Sequence, residues 1–390
     1  MKPDFNNTEQ AFAHLSNREL RNALVLFQTV GNPFWVRMGK VLMNVALRLG
    51  IPVGWAIRPT VYAHFCGGES IEKCEASVAK LADSGVRTIL DYSAEGKDNE
   101  RELDRSCEEI LRTVEAAKGD DRMAFNVFKV SGVAANHLLE QVSSGHPHDI
   151  GAWARVEARV ARICKAVADS NGRVFIDAEE SWLQPAIDQL AESEMRRHNG
   201  ERAIVFNTIQ LYRHDRLAYL ENLTTQARAD GWHLGVKLVR GAYMEKERKR
   251  AEEQGLLSPI QPDKAASDRD FNAALKWCIQ NLDVVALCNG SHNAESNGLL
   301  CQMMMDHGLS SDDNRVWFAQ LLGMSDPISF NLAACGYNVA KYVPYGPIRE
   351  AVPYLIRRAE ENTSVAGQTS RELELLRKER ARRKRDKVRV

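Results

Sequence analysis

Two adjacent arginines, Arg357 and Arg358, lie in the stretch Tyr-Leu-Ile-Arg-Arg-Ala-Glu-Glu-Asn that runs from 354 to 362. Side-by-side planar guanidinium forks suit the capture of a carboxylate, provided that both face a closed site. The stretch has helical spacing: Leu355, Ile356 and Ala359 are apolar, and Pro353 suits a first turn or a kink. Arg357 also stands four residues before Glu361, so a solvent-facing, ion-paired helix explains the same letters. Position in the fold must decide between the two readings.

The other chemically suggestive residues fall in or just after short apolar runs. Lys129 and Lys237 each sit inside one, where an ammonium is costly to bury without a carboxylate or an anionic ligand; Asp177, which ends another run, is a suitable companion. A structural ion pair inside the fold is the alternative for any one of them, and convergence of several on one face favours a site. His292-Asn293 lacks Cys or His partners at zinc spacing, so no metal centre is expected. Neither a Gly-x-Ser-x-Gly elbow nor a Walker loop is present, which removes the usual marks of hydrolases and nucleoside triphosphatases. A mixed-charge site of this kind suits a small amphoteric molecule.

The elements that must position these residues alternate. Eight β-branched or apolar runs, at 86–91, 123–130, 173–177, 203–210, 234–240, 284–289, 315–321 and 338–343, are separated by helical patterns that include 149–170, 213–229, 268–280, 293–307 and 326–335. Eight β-then-α units predict an α/β fold closed as a (βα)8 TIM-like barrel. An open doubly wound sheet competes, but no Gly-x-Gly-x-x-Gly follows any run. In such a barrel the polar residues at the strands' carboxyl ends line the active face, and the strand ends here carry Asp91 with Glu95 beyond it, Lys129, Asp177, Gln210, Arg240, Ser291 with His292, Gln320 with the apolar Leu321, and Tyr342.

Ahead of the repeat, Ser16-Asn17-Arg18-Glu19 fits a capping box before a helix from Leu20 to Val30. Asn32-Pro33 opens a second helix with apolar residues at 38, 41, 42 and 45. The expected organisation is an N-terminal helical segment over 1–85, the barrel over 86–365 and a basic tail over 366–390 that ends as a solvated helix. Gly255–Ser267 is the longest irregular stretch within the repeat, placed to cover a ligand.

Charge balance is neutral over 390 residues, with 52 basic against 52 acidic, so nucleic acid is not an expected partner. The eight cysteines are scattered without a Cys-x-x-Cys pair and no secretory-type apolar run opens the chain, which together predict a reducing, cytoplasmic setting. Phe34–Trp55 carries Arg37, Lys40 and Arg48 and fails as a membrane span; it reads as a buried or interfacial helix, leaving room for peripheral contact with the inner membrane.

Taken together, Leu90-Asp91-Tyr92, Phe175 to Glu180, Lys237 to Tyr243, Lys341 to Gly346 and Tyr354 to Asn362 resemble the proline dehydrogenase family, over about residues 86 to 365. The closest likeness is to stand-alone members similar to the mitochondrial enzymes. The resemblance implies a distorted barrel that holds FAD across its carboxyl face under a signature helix. The implied reaction is oxidation of L-proline to Δ1-pyrroline-5-carboxylate, with hydride passing to flavin N5. It implies a quinone or another electron acceptor, and a downstream pyrroline-5-carboxylate dehydrogenase. By the same resemblance Arg357, Arg358 and Lys129 hold the substrate carboxylate, and Leu321, Tyr342 and Tyr354 wall its ring. Glu95 gates the site by pairing with Arg357. Asp177, and Lys237 where many bacterial members have arginine, are the catalytic positions beside the flavin. Ala178, Gln210, Val239, Arg240, Gly241, Ser291 and His292 contact the cofactor. Two other readings stay open at this point: a 4-hydroxyproline dehydrogenase, and a flavin-less barrel whose basic tail makes it a binding module.

Overall fold

A computed structural model describes residues 2–32, 34, 38–39, 54–92, 96–364 and 368–388. Its centre is an eight-stranded parallel sheet. The strands are β1 (Arg87–Tyr92), β2 (Asn126–Lys129), β3 (Val174–Asp177), β4 (Val205–Gln210), β5 (Leu234–Val239), β6 (Val285–Gly290), β7 (Val316–Leu321) and β8 (Val339–Tyr345), each within a few residues of where alternation predicts it. Each strand from β2 to β8 pairs with the next, and β8 pairs with β1. The seam between β1 and β2 is joined just below β2, where Thr88 N donates to Arg122 O at 2.8 Å and Ala124 N donates to Thr88 O at 3.0 Å. The sheet is thus a nearly closed barrel.

The barrel is filled from the bottom. Phe125, Phe175, Phe206 and Trp317 pack inside it, with the Phe125 and Phe175 rings stacked at 4.2 Å. Aromatic burial on this scale leaves no channel. Outside, the helices bury an aliphatic layer against the outward faces of the strands. They start where sequence provides caps: Asp149 accepts from Ala152 N at 2.9 Å, Asn293 from Ser296 N at 3.0 Å, and Ser16 and Glu19 form the expected capping box.

Three expectations need adjustment. The irregular stretch after Gly255 ends sooner than Ser267, because Asp263 caps a helix from Lys264 to Gln280 by accepting from Ala266 N at 2.7 Å. The helix bearing the paired arginines runs from Ile348 to Ser364, so of the two settings open to Pro353 the first turn is ruled out and the proline lies in the helix interior. The basic tail, a helix from Gln368 to Val388, is not merely solvated. Its Leu375 and Leu376 are buried with Ala11, Phe12, Leu20, Leu24 and Phe27, and Arg383 donates to the carbonyls of Phe12 and Leu15 at 2.7 and 2.8 Å. Leu375 and Leu376, with the partly buried Leu373, anchor a segment whose composition is dominated by charge. The helix expected after Asn32-Pro33, and most of Phe34–Trp55, lie outside the described residues. Among the described residues no helix is long and apolar enough to cross a membrane.

The opening at the carboxyl face is covered by the Ile348–Ser364 helix. Its Ala351, Val352, Tyr354 and Leu355 are buried against Ile57, Tyr62, Phe65 and Met324. A second buried lysine, Lys341 on β8, holds the loop beneath it: Nζ donates to Met324 O at 2.8 Å and Leu321 O at 3.2 Å and pairs with Asp326 at 2.7 Å. Burial alone would raise the Asp326 carboxyl, but Lys341 and His14 outweigh it and hold that group well below the usual carboxylate range. Lys341→Met leaves the buried Asp326 with His14 as its remaining partner and is expected to destabilise the protein by about 3 to 5 kcal/mol in urea unfolding. A loss below about 1 kcal/mol would mean that the pair carries little of the fold.

Candidate active site

At the carboxyl ends of β3, β5 and β8 the barrel brings together Asp177, Lys237 and Tyr342. The Lys237 ammonium, on a residue only 4% exposed, donates to Asp177 Oδ1 and to the Tyr342 hydroxyl. It also lies 4.9 Å from the Phe175 ring centroid and 4.6 Å from that of Tyr342. The carboxylate compensates the buried charge, and the aromatic faces replace part of its lost hydration. Tyr342 OH is 3.3 Å from Asp177 Oδ1. Burial first, and the Asp177 charge second, push the phenol well above its ordinary value, so it remains a hydrogen-bond donor.

Lys129 pairs in register with Asp177 on the neighbouring strand and is half-buried. Leu321, at the end of β7, packs both on the barrel interior that includes Tyr342 and on the cluster that includes Tyr354, bridging strand ends and covering helix. On that helix Arg358 is 7% exposed with its guanidinium 5.1 Å from the Tyr354 ring, and Arg357 is half-buried. Neither arginine is on a fully solvated helix face. Glu95 lies outside the described residues.

The residues expected to hold a cofactor form an arc along the β4, β5 and β6 ends. Gln210 is 2% exposed; its amide nitrogen donates to Glu179 O at 3.0 Å, while its buried oxygen Oε1 has no partner among the described residues. Such an acceptor is costly to leave unmade and suits a ligand donor. Ala178 is buried, and Val239 half-buried. Arg240 is braced by Asp268 at 2.7 Å, Ser291 at 3.1 Å and Ser296 at 2.9 Å. Gly241 has φ of +138°, and a Cβ there would lie 2.3 Å from the Tyr212 ring, so no larger residue fits beside this backbone. Ser291, 3% exposed, takes Gln320 Nε2 on its carbonyl at 3.1 Å. His292 bonds Ser325 Oγ through Nδ1 at 2.9 Å. Burial, followed by the charges of Lys341 and Arg358, lowers its imidazole to about 3, so it is neutral near pH 7. Braced cationic and neutral donors, an orphan acceptor and an obligatory glycine fit a polar cofactor laid close against the backbone. Among the described residues no group of His, Cys, Asp or Glu could hold a metal ion.

Several residues of this face receive no role of their own from the letters. Glu179 accepts from Ser131 N at 2.9 Å and from its hydroxyl, and Lys341 repeats the buried-lysine pattern of Lys237. Lys341 carries the signal that marked Lys129 and Lys237, a cation inside an apolar strand. Asp268 carries none, being 28 residues from Arg240.

Burial raises the Glu179 carboxyl to about 7, against the smaller lowering effects of Ser131 and Lys129. Since the folded value lies above the unfolded one, its favourable contribution is complete below about pH 4.5 and lost as pH rises to about 7. Relative to Glu179→Gln, the wild type should therefore lose about 3 kcal/mol of stability across that interval. Parallel stability-pH curves for the two proteins would remove Glu179 as the source.

A family model described as Proline dehydrogenase matches residues 74–371. Among curated relatives, carbapenem antibiotics biosynthesis protein CarD of Pectobacterium carotovorum subsp. carotovorum is 34% identical over 82% of this chain and 83% of its own length. Proline dehydrogenase 1, mitochondrial, of Arabidopsis thaliana is 30% identical over 97% of this chain and 86% of its own. Hydroxyproline dehydrogenase of Xenopus laevis is 31% identical over 94% and 88%. Among solved structures, proline utilization A from Bdellovibrio bacteriovorus inactivated by N-propargylglycine superposes with a TM-score of 0.72 at 19% identity, covering 95% of this chain. The present chain spans 38% of that protein, and the likeness is one of fold. With the matched segment containing all eight strands and the arginine-bearing helix, the chain belongs to the proline dehydrogenase family and is an oxidoreductase acting in proline oxidation.

Proposed function

We propose that this protein binds FAD along the arc from Gln210 to His292 and oxidises L-proline to Δ1-pyrroline-5-carboxylate. The observation that carries the proposal is the Lys237–Asp177–Tyr342 cluster lying beneath a helix that brings Arg358 and Tyr354 over the barrel mouth. Arg357 and Arg358, with Lys129, orient the substrate carboxylate, while Leu321, Tyr342 and Tyr354 fix the ring so that its nitrogen-bearing carbon faces the cofactor. Asp177 and Lys237 hold the floor of the site as one net-neutral pair, and Glu95 closes it by pairing with Arg357. Bound FAD supplies the two-electron acceptor that no side chain here provides. The substrate's N–H proton leaves to solvent, and water is excluded from the oxidised carbon by the covering helix. Reoxidation falls to a quinone or another carrier, and the imine product passes to a pyrroline-5-carboxylate dehydrogenase. The eight thiols accord with a cytoplasmic setting, with peripheral contact at the inner membrane bringing a quinone within reach.

Selectivity between imino acids turns on Tyr342, whose hydroxyl is tied to Lys237 and Asp177 and whose ring cannot swing aside freely. A residue fixed in this way crowds a hydroxyl added at C4 of the substrate, at a cost of about 1 to 3 kcal/mol. This favours proline over the 4-hydroxyproline reading that one relative's name raises.

The purified protein should carry flavin absorbance and reduce it with L-proline; a colourless protein that takes up no FAD defeats the proposal. Arg357→Met and Arg358→Met should each weaken both proline and the non-oxidisable tetrahydrofuran-2-carboxylate, and undiminished binding of the latter by both variants removes the clamp. For Tyr342→Ser, kcat/KM for proline should fall toward that for trans-4-hydroxy-L-proline, narrowing a preference of roughly ten- to a few hundredfold. Unaltered selectivity would mean that Tyr342 only packs.

A further inference from the structure

We infer that Glu372 on the tail helix is a positioning residue for the cofactor site, acting through Ser325 on His292. The inference rests on the FAD reading only for what His292 touches. Glu372 accepts the Ser325 backbone N–H at 2.9 Å, and Ser325 Oγ is hydrogen-bonded to His292 Nδ1 at 2.9 Å. Two bonds thus connect a helix at the periphery to a side chain on the barrel's carboxyl face.

Ser325 is the residue where this chain departs from local rules. It occupies the N-cap of the Asp326–Ala334 helix, where a serine ordinarily turns its own hydroxyl onto the first free amides. Here it makes no such side-chain cap and stands in the left-handed region, with φ +53° and ψ +38°, which a non-glycine residue adopts only when its surroundings impose it. Glu372, from another helix, accepts the N-cap amide as the acidic member of a capping box does, and the serine hydroxyl is turned onto His292 instead of its own helix.

Glu372 is also a poor choice for stability alone. It is 7% exposed, forms no ion pair among the described residues, and lies near the negative Asp326; burial and that like charge raise its carboxyl to about 7. An apolar residue would fill the same space without desolvating a carboxyl group. Its position immediately follows the family match, which ends at residue 371. The tail therefore contributes a contact that the barrel by itself does not contain.

The test uses the full-length protein with Glu372→Ala, Glu372→Gln, Ser325→Ala and the Glu372→Ala/Ser325→Ala pair, read by nitrogen-15 NMR of the His292 ring, by the dissociation constant for FAD and by Tm. Glu372→Ala and Ser325→Ala should both move the His292 ring resonances and weaken FAD roughly tenfold. Glu372→Gln, which keeps a carbonyl acceptor, should leave both near wild type. The double variant should be no worse for FAD than the worse single one, because the two residues act in series. A Glu372→Ala protein with lowered Tm but wild-type His292 resonances and FAD affinity would overturn the inference, as would additive losses in the double variant. If Glu372→Ala does not fold, unchanged His292 resonances in Ser325→Ala overturn it equally. Should the wild type bind no FAD, the functional reading fails, yet the His292 resonances still report whether Glu372 and Ser325 are coupled to the ring.

Discussion

A fully desolvated ammonium stands at the mouth of this barrel, and much of the surrounding architecture answers to it. Lys237 is tolerable inside an apolar strand only because β3 supplies Asp177, β8 supplies the Tyr342 hydroxyl, and Phe175 offers a ring face. These partners come from strands separated around the barrel, with β4 between β3 and β5. Closure of the sheet and compensation of the charge are one event. An open sheet would leave Lys237 without Tyr342, which lies 105 residues along the chain.

The same logic recurs one layer outward. Lys341 is buried on β8 and gathers the loop after β7 through two carbonyls and Asp326, which in turn reaches His14 in the N-terminal arm at 3.4 Å. Terminal segments are thereby knitted to the carboxyl face. The aromatic base of the barrel, by contrast, is held by ring packing and by Arg87 and Arg173 against the Trp317 ring at 5.0 and 5.4 Å. One end of the barrel is specialised for stability and the other for chemistry, as parallel strands with helices behind them allow.

The arrangement of cations bears on what the site admits. Arg358, Lys341 and Lys237 all lie near the opening; burial first, and then the charges of Lys341 and Arg358, keep His292 neutral. Asp177 cancels one of these charges locally.

The sequence by itself determined the eight strands, the helices that begin near 149, 293 and 326, and most of the residues at the carboxyl ends, because period-two alternation and side-chain caps act over a few residues. Lys129, Lys237 and Asp177 were legible because a charge in or at the end of an apolar run is locally anomalous, and Arg357 and Arg358 because they stand side by side. Tertiary structure alone decided which charge meets which. The pairing of Arg240 with Asp268, the capture of Ser325 by Glu372 and the burial of Glu179 depend on chain segments that only barrel closure and helix docking bring together. The tail is the clearest case. Its letters are those of a solvated basic helix, but Leu375, Leu376 and Glu372 are placed inside by the N-terminal arm and the β7 loop, and burial depends on neighbours that no local pattern names.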